Sequence, residues 1–261
     1  MAINFHDEKN KMVYASRKAN ASWSEDIEAL LPPGKHFIRA ADLGCGGGIY
    51  SKALVDAGVE SVVGVDFSKA MLDGAAYNCK DYETISFQLG SAVDTQLPNE
   101  AFDLVLARAL IHHLDQLDEA FNESYRILEQ GGYFIVQDRT PEDVLLPGSE
   151  EHIRGYFFEK YEKLKIAEVR RRHKSEEVHN ALEKAGFTVE KEVPFWEVRA
   201  TYPSKNRLKE ELRNRIGRSI LYELDDEELE ILIDFIDEKL TKERDIIEKD
   251  RWTMWIARKL S

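Results

Sequence analysis

The residues best suited to chemistry sit in one short run, Ala41-Asp42-Leu43-Gly44-Cys45-Gly46-Gly47-Gly48-Ile49. Glycines where a strand hands over to a helix permit a tight turn and let a ligand come against bare backbone. The helix beyond them offers unpaired N–H groups. Asp66 lies twenty-two residues after Gly44, behind the β-branched run Ser61-Val62-Val63-Gly64-Val65. A carboxylate there can accept both hydroxyl hydrogens of a ribose. The alternative is a turn without a ligand, with Asp66 capping the next helix. The backbone entropy that clustered glycines cost, and the spacing to Asp66, count against it. A nicotinamide or flavin dinucleotide fingerprint needs Gly-x-Gly-x-x-Gly, and counted from Gly44 its last position is Ile49. No Lys-Ser or Lys-Thr pair follows the glycines, so a P-loop is excluded.

A second group of candidates follows two later apolar runs. Arg108, His112 and His113 come after Phe102–Leu106, and Asp138 with Arg139 after Tyr133–Val136. Either histidine can act as a base near neutral pH, or can pack and orient the loop. Arg108 and Arg139 can grip a substrate carboxylate, or pair with Asp138 or Asp103. Neither histidine has metal-ligand spacing to a third partner, so no metal site is expected.

These residues need a scaffold, and the surrounding pattern describes one. Strands are expected at 37–43, 61–65, 85–89, 102–106 and 133–136. Helices are expected at 49–57, at 69–78 behind the cap Ser68, and around Leu117, Ala120, Phe121, Ser124 and Leu128, where Gly131-Gly132 supplies a stop. Alternation of this kind implies a mostly parallel sheet covered on both faces, with right-handed crossovers. Ahead of it, Ser24 is expected to cap a short helix ended by Pro32-Pro33-Gly34. After Asp138 the rhythm breaks. Residues 149–172 read as a long amphipathic helix or helix pair, and Ser175 as the cap of a helix ending at Gly186. Phe187–Arg199 looks extended, although Pro194 argues against one uninterrupted central strand. A helical insertion with 11 acidic residues against 3 basic ones between Glu223 and Asp245 then leads to a last strand, Arg251–Lys259.

Composition narrows the function classes. The 261 residues, 43% of them hydrophobic, suit one α/β domain with insertions. A net charge of −13 repels phosphate backbones and disfavours nucleic acid. The basic run Arg170-Arg171-Arg172-His173-Lys174 reads as solvated or paired. Two cysteines, Cys45 and Cys79, make no disulfide framework and point to a reducing compartment. No signal peptide and no membrane span are expected.

The ordered set of motifs resembles the class I S-adenosylmethionine-dependent methyltransferases, in particular the small-molecule branch called methyltransferase type 11. Asp42 to Gly48 is similar to the first motif of that family. Val62 to Ser68 followed by Met71-Leu72 resembles the second. Phe102-Asp103-Leu104-Val105-Leu106 with His112-His113-Leu114 resembles the fourth-strand region. Tyr125-Arg126-Ile127-Leu128 with Gly131-Gly132-Tyr133 resembles the approach to the fifth strand. The resemblance, over about residues 38 to 138, implies a Rossmann-like α/β fold: a seven-stranded sheet in the order 3-2-1-4-5-7-6, strand 7 antiparallel. It implies one domain, with an N-terminal helical lid at about 1–31 and insertions at about 141–174 and 203–245.

The same resemblance places Gly44, Cys45, Gly46 and Gly48 around the amino-acid part of S-adenosyl-L-methionine, with Asp42 near its ammonium. Asp66 would hold the ribose hydroxyls, and Phe67 would lie against the adenine. The family commonly has an acidic residue where this chain has Ser91, which removes one adenine contact; Ala92 keeps its backbone N–H. Ala107 and Arg108 would border the sulfonium, and Tyr14 and Arg17 belong to the segment that closes over the cofactor. The implied function is methyl transfer to a small-molecule acceptor in the cytoplasm. The alternatives are a tRNA or other macromolecular acceptor, or a non-catalytic cofactor-binding protein.

Overall fold

The β-branched and aliphatic runs pair into one seven-stranded sheet in a computed structural model that describes Ala19 and residues 21–260. The strands are β1 (Arg39–Leu43), β2 (Ser61–Asp66), β3 (Ile85–Leu89), β4 (Phe102–Arg108), β5 (Leu128–Asp138), β6 (Phe187–Tyr202) and β7 (Ile246–Lys259). Their order is β3-β2-β1-β4-β5-β7-β6, as expected. The pairs β1–β2, β1–β4, β2–β3 and β4–β5 are parallel, while β7 runs antiparallel to β5. Tyr14, Arg17 and most of the expected lid lie outside the described residues, as does the side chain of the expected cap Ser24.

The helices α1 (Ala21–Leu30), α2 (Ile49–Asp56), α3 (Lys69–Asn78) and α4 (Asp118–Ile127) alternate with the first five strands. Ser68 caps α3 as the sequence predicts, its hydroxyl accepting from the Met71 N–H. The Gly131-Gly132 stop is placed differently. Helix α4 ends at Ile127 and β5 begins at once, because Leu128 is already fully buried opposite Phe102. The ladder then slips between the pairs Phe102–Leu128 and Leu104–Tyr133, and Gly131 absorbs the bulge at φ 78°.

The chain divides into two compact units. Among the described residues, one holds 21–138, 173–193 and 253–260, and the other 139–172 and 194–252. The first contains the motif-bearing strands and a core of Leu43, Val105, Phe121, Phe134, Leu182 and Trp255 among others. It also includes α8 (Ser175–Lys184), counted after α5 (Pro141–Val144), α6 (Ile153–Lys160) and α7 (Glu162–Arg170) of the second unit. Ser175 is not the cap of α8. Glu177 accepts the Lys174 N–H at that helix start, and the Ser175 hydroxyl accepts from Trp255 Nε1 at 3.0 Å.

The second unit takes in the two expected insertions, with α6 and α7 as a helix pair and α9 (Lys205–Arg213) and α10 (Asp226–Lys239) beyond. Its core joins Phe157, Leu164, Leu212, Leu221, Leu232 and Ile236. It also buries charge. Arg154 forks onto Asp250 at 2.7 and 3.2 Å, and Arg218 bonds Glu248 at 2.6 Å. Burial opposes ionisation of Glu168, but Arg172, Arg171, Arg154 and Arg139 hold its carboxyl well below the usual range. The basic run at 170–174 is thus paired at Arg171 and Arg172, both on Glu168. Pro194 sits within one continuous strand, β6, which the sheet tolerates because β6 is an edge strand.

Candidate cofactor and acceptor site

Parallel pairing brings the ends of β1, β2 and β4 together, with Leu43 opposite both Val65 and Ala107. The glycine turn therefore leaves β1 beside Asp66 at the end of β2. Asp66 accepts the Gly46 N–H at 2.9 Å with one oxygen and the Ser68 N–H at 2.8 Å with the other. One carboxylate thus fixes the turn and the start of α3. Asn78 adds a bond the sequence did not suggest, from Nδ2 to Gly47 O at 2.8 Å.

The glycines have separable roles. A Cβ on Gly44 would lie 2.8 Å from Leu110, and one on Gly48 would lie 2.8 Å from Cys79 Sγ. A Cβ on Gly46 would meet only Met71 Cε, at 3.4 Å. Gly44 and Gly48 are small for the protein's own packing, whereas Gly46 leaves room on the open side of the turn. Gly48, at φ 74°, starts α2 with no side-chain cap, so that N-terminus is built from backbone alone. Cys45 ties its N–H to Val65 O at 3.0 Å, and burial pushes its thiol far above the ordinary range. Only its backbone is suited to a ligand.

Asp42 is buried at 2% exposure beneath this turn, with Ser51 Oγ donating to it at 2.6 Å. Burial raises its carboxyl to about 7, a rise that the Ser51 bond and Arg108 only partly offset. A buried carboxylate of this kind favours a cation brought close, which fits an ammonium group. Phe67, next to Asp66, is 56% exposed and offers an aromatic face at the end of β2. Ser91 and Ala92 follow β3, both half-buried. Ser91 exchanges backbone hydrogen bonds with Asp94 at 3.0 and 3.1 Å.

On the other side of β1, Ala107 is buried in the core and Arg108 stacks over Tyr50 at 3.8 Å. Tyr50 meets Trp23 edge-on at 5.0 Å, and the Trp23 indole N–H donates to Gln137 at 2.8 Å. Trp23, Tyr50 and Gln137 are site neighbours that sequence reasoning missed. The only hint, for Tyr50 and Gln137, was their place just after a motif. His112 and His113 lie in a 3₁₀ turn, Ile111–His113, with ring centroids 4.0 Å apart. His112 Nδ1 lies 2.9 and 3.1 Å from the two Asp138 oxygens, so Asp138 pairs with His112. Arg139 falls in the other compact unit, stacked over Trp252 at 4.4 Å and 3.9 Å from Asp250, and burial lowers it to about 9.

Comparison with known proteins agrees with this geometry. Residues 41–136 match the family described as a methyltransferase domain. An uncharacterized methyltransferase of Bacillus subtilis is 30% identical over 150 residues, 56% of this chain and 58% of its own length. A demethylmenaquinone methyltransferase of Lysinibacillus sphaericus is 26% identical over 156 residues, 58% of this chain and 64% of its own. The chain thus spans less than two thirds of each relative. Among solved structures, phosphoethanolamine N-methyltransferase 2 of Haemonchus contortus, in complex with S-adenosylhomocysteine, superposes with TM-score 0.59 at 20% identity. The match covers 99% of this chain and 61% of that one, which shows the fold. Sheet order, glycine turn and the Asp66 clasp thus accord with the methyltransferase-domain match over residues 41–136.

Proposed function

We propose that the protein transfers a methyl group from S-adenosylmethionine to a small-molecule acceptor. The observation that carries this reading is the Gly46–Asp66 clasp, with an open Gly46 face, an exposed Phe67 and a buried Asp42 carboxyl around one turn. Gly46 and the start of α2 would receive the amino-acid portion, Asp42 the ammonium, Asp66 the ribose and Phe67 the adenine. The bound donor supplies a methyl carbon made electrophilic by its sulfonium. The protein's part is to align the acceptor with that carbon and to keep water out. The demethylmenaquinone relative supports a flat, ring-bearing acceptor. A cytoplasmic location accords with two free, buried cysteines. No helix among the described residues is long and apolar enough to cross a membrane.

Incubation with methyl-labelled donor and a panel of small phenols, quinols and amines tests the reading. Label should appear in an acceptor with equimolar S-adenosylhomocysteine. Tight donor binding with no product across the panel, or label appearing only in added tRNA, would contradict it.

A further inference from the structure

We propose that Asn78, at the end of α3, is a positioning residue for the methyl donor, holding the Gly47–Gly48 peptide in the orientation that the donor turn requires. This rests on the donor reading above. One stripe of α3 lies along the turn. A Cβ on Gly46 would meet Met71 Cε at 3.4 Å, and one on Gly48 would meet Ala75 Cβ at 3.3 Å and Cys79 Sγ at 2.8 Å. Met71, Ala75, Asn78 and Cys79 follow one another at steps of 4, 3 and 1, which sets them on one helical face. From that face Asn78 Nδ2 donates to Gly47 O at 2.8 Å, and the Cys79 thiol lies 3.5 Å from Gly48 O. The start of the same helix is tied to the turn through Asp66, which accepts both the Ser68 and the Gly46 N–H. The turn is therefore gripped twice, at the Gly46 N–H by Asp66 and at the Gly47 carbonyl by Asn78.

The two grips act on different peptides. In a trans peptide the carbonyl and the following N–H point in opposite directions. With Gly47 O on Asn78, the Gly48 N–H faces the other way, where it donates to Cys45 O at 2.9 Å and closes the turn. Glycine on both sides leaves this peptide little steric resistance to turning over. A turned peptide breaks the Gly48–Cys45 bond and sets a carbonyl, with its partial negative charge, beside the start of α2. The proposed function seats the donor's amino-acid portion there, and its carboxylate needs N–H groups. Asp66 does not supply this control, because the N–H it holds belongs to the Cys45–Gly46 peptide. A carbonyl oxygen only accepts, so the side chain at position 78 must present a donor. Aspartate, the nearest isostere, presents one only when protonated.

The test reads the turn and the ligand separately. Hydrogen exchange followed by NMR on the free, full-length protein should show the Gly48 amide protected, and exchanging at least about tenfold faster in Asn78→Leu. Calorimetry with S-adenosylmethionine at pH 8, well below each variant's melting temperature, should show Kd raised at least about tenfold in Asn78→Leu and in Asn78→Asp. Relative to wild type at the same pH, the Asn78→Asp loss should shrink at least about threefold between pH 8 and pH 5 as its carboxyl gains a proton, while the Asn78→Leu loss stays constant. A rapidly exchanging Gly48 amide in the wild type overturns the proposal without any variant. So do Kd values within about threefold of wild type in both variants. An Asn78→Asp loss that does not shrink at low pH also overturns it, since lost packing alone gives that result. Failure of the wild-type protein to bind the donor overturns the donor reading instead, and Gly48 exchange still decides the hold of Asn78 on the turn.

Discussion

At the scale of single residues, the proposed donor site makes Asp42 the group that links donor binding to pH. Its carboxyl, at about 7 in the free protein against an ordinary 3.8, takes up a proton on folding between those values. Stability it contributes below pH 4 is therefore lost as pH rises through 7, a term on the order of 4 kcal/mol at most. Asp42→Asn should raise the melting temperature at pH 8 and change it little at pH 4, while donor affinity falls. In the wild type the donor's ammonium needs the ionised form, so affinity should drop up to about tenfold per pH unit below 7 and level off above it. Thermal melts and titrations at pH 5, 6, 7 and 8 check both. A flat affinity profile would remove Asp42 from the ammonium's neighbourhood. The glycines give a second contrast. Gly46→Ala should weaken donor binding at least tenfold for about 1–2 kcal/mol of backbone strain. Gly48→Ala should cost more stability, since its Cβ collides with Cys79, Ala75 and Phe87. Melting curves and calorimetry on both variants separate the two losses, and equal stability losses would contradict the division of roles.

At the scale of elements, the loop after β4 carries the local strain. Ala109 sits at φ 51°, left-handed for a residue with a Cβ, immediately before the histidine turn. Ala109→Gly should be nearly neutral in stability, because relief of strain offsets the entropy of glycine. Ala109→Val should lose more than about 1 kcal/mol, and denaturant midpoints measure both. Much of this element layer was legible in the sequence. Strand β3 and helix α3 occupy the expected residues, since alternating apolar residues (Ile85, Phe87, Leu89) and a serine cap are local signals. The Gly131 bulge and the Ser175 hydroxyl were not legible, because each is decided by a distant partner, Phe102 in one case and Trp255 in the other. The His112–Asp138 pair was hidden for the same reason: 26 residues separate two groups that only the β4–β5 register brings together.

At the scale of the whole molecule, the seven-stranded order was legible because several motifs arrive in sequence, each fixing one crossover. The second compact unit was not. Its buried network around Glu168, Asp250 and Glu248 draws arginines from separate helices and strands, and their charges look like surface when read along the chain. Those groups lie in the unit whose core joins Phe157, Leu164 and Leu232, whereas the glycine turn, Asp42 and Asp66, to which the proposed function assigns the donor, lie in the other. The most direct measurement of that assignment is calorimetric titration of the full-length protein with S-adenosylmethionine and, separately, with NADH. Saturable one-to-one binding of the methyl donor, lost by about 1–3 kcal/mol in Asp66→Ala, with no heat from NADH, is the predicted result. Tight NADH binding with none for the methyl donor would contradict the account.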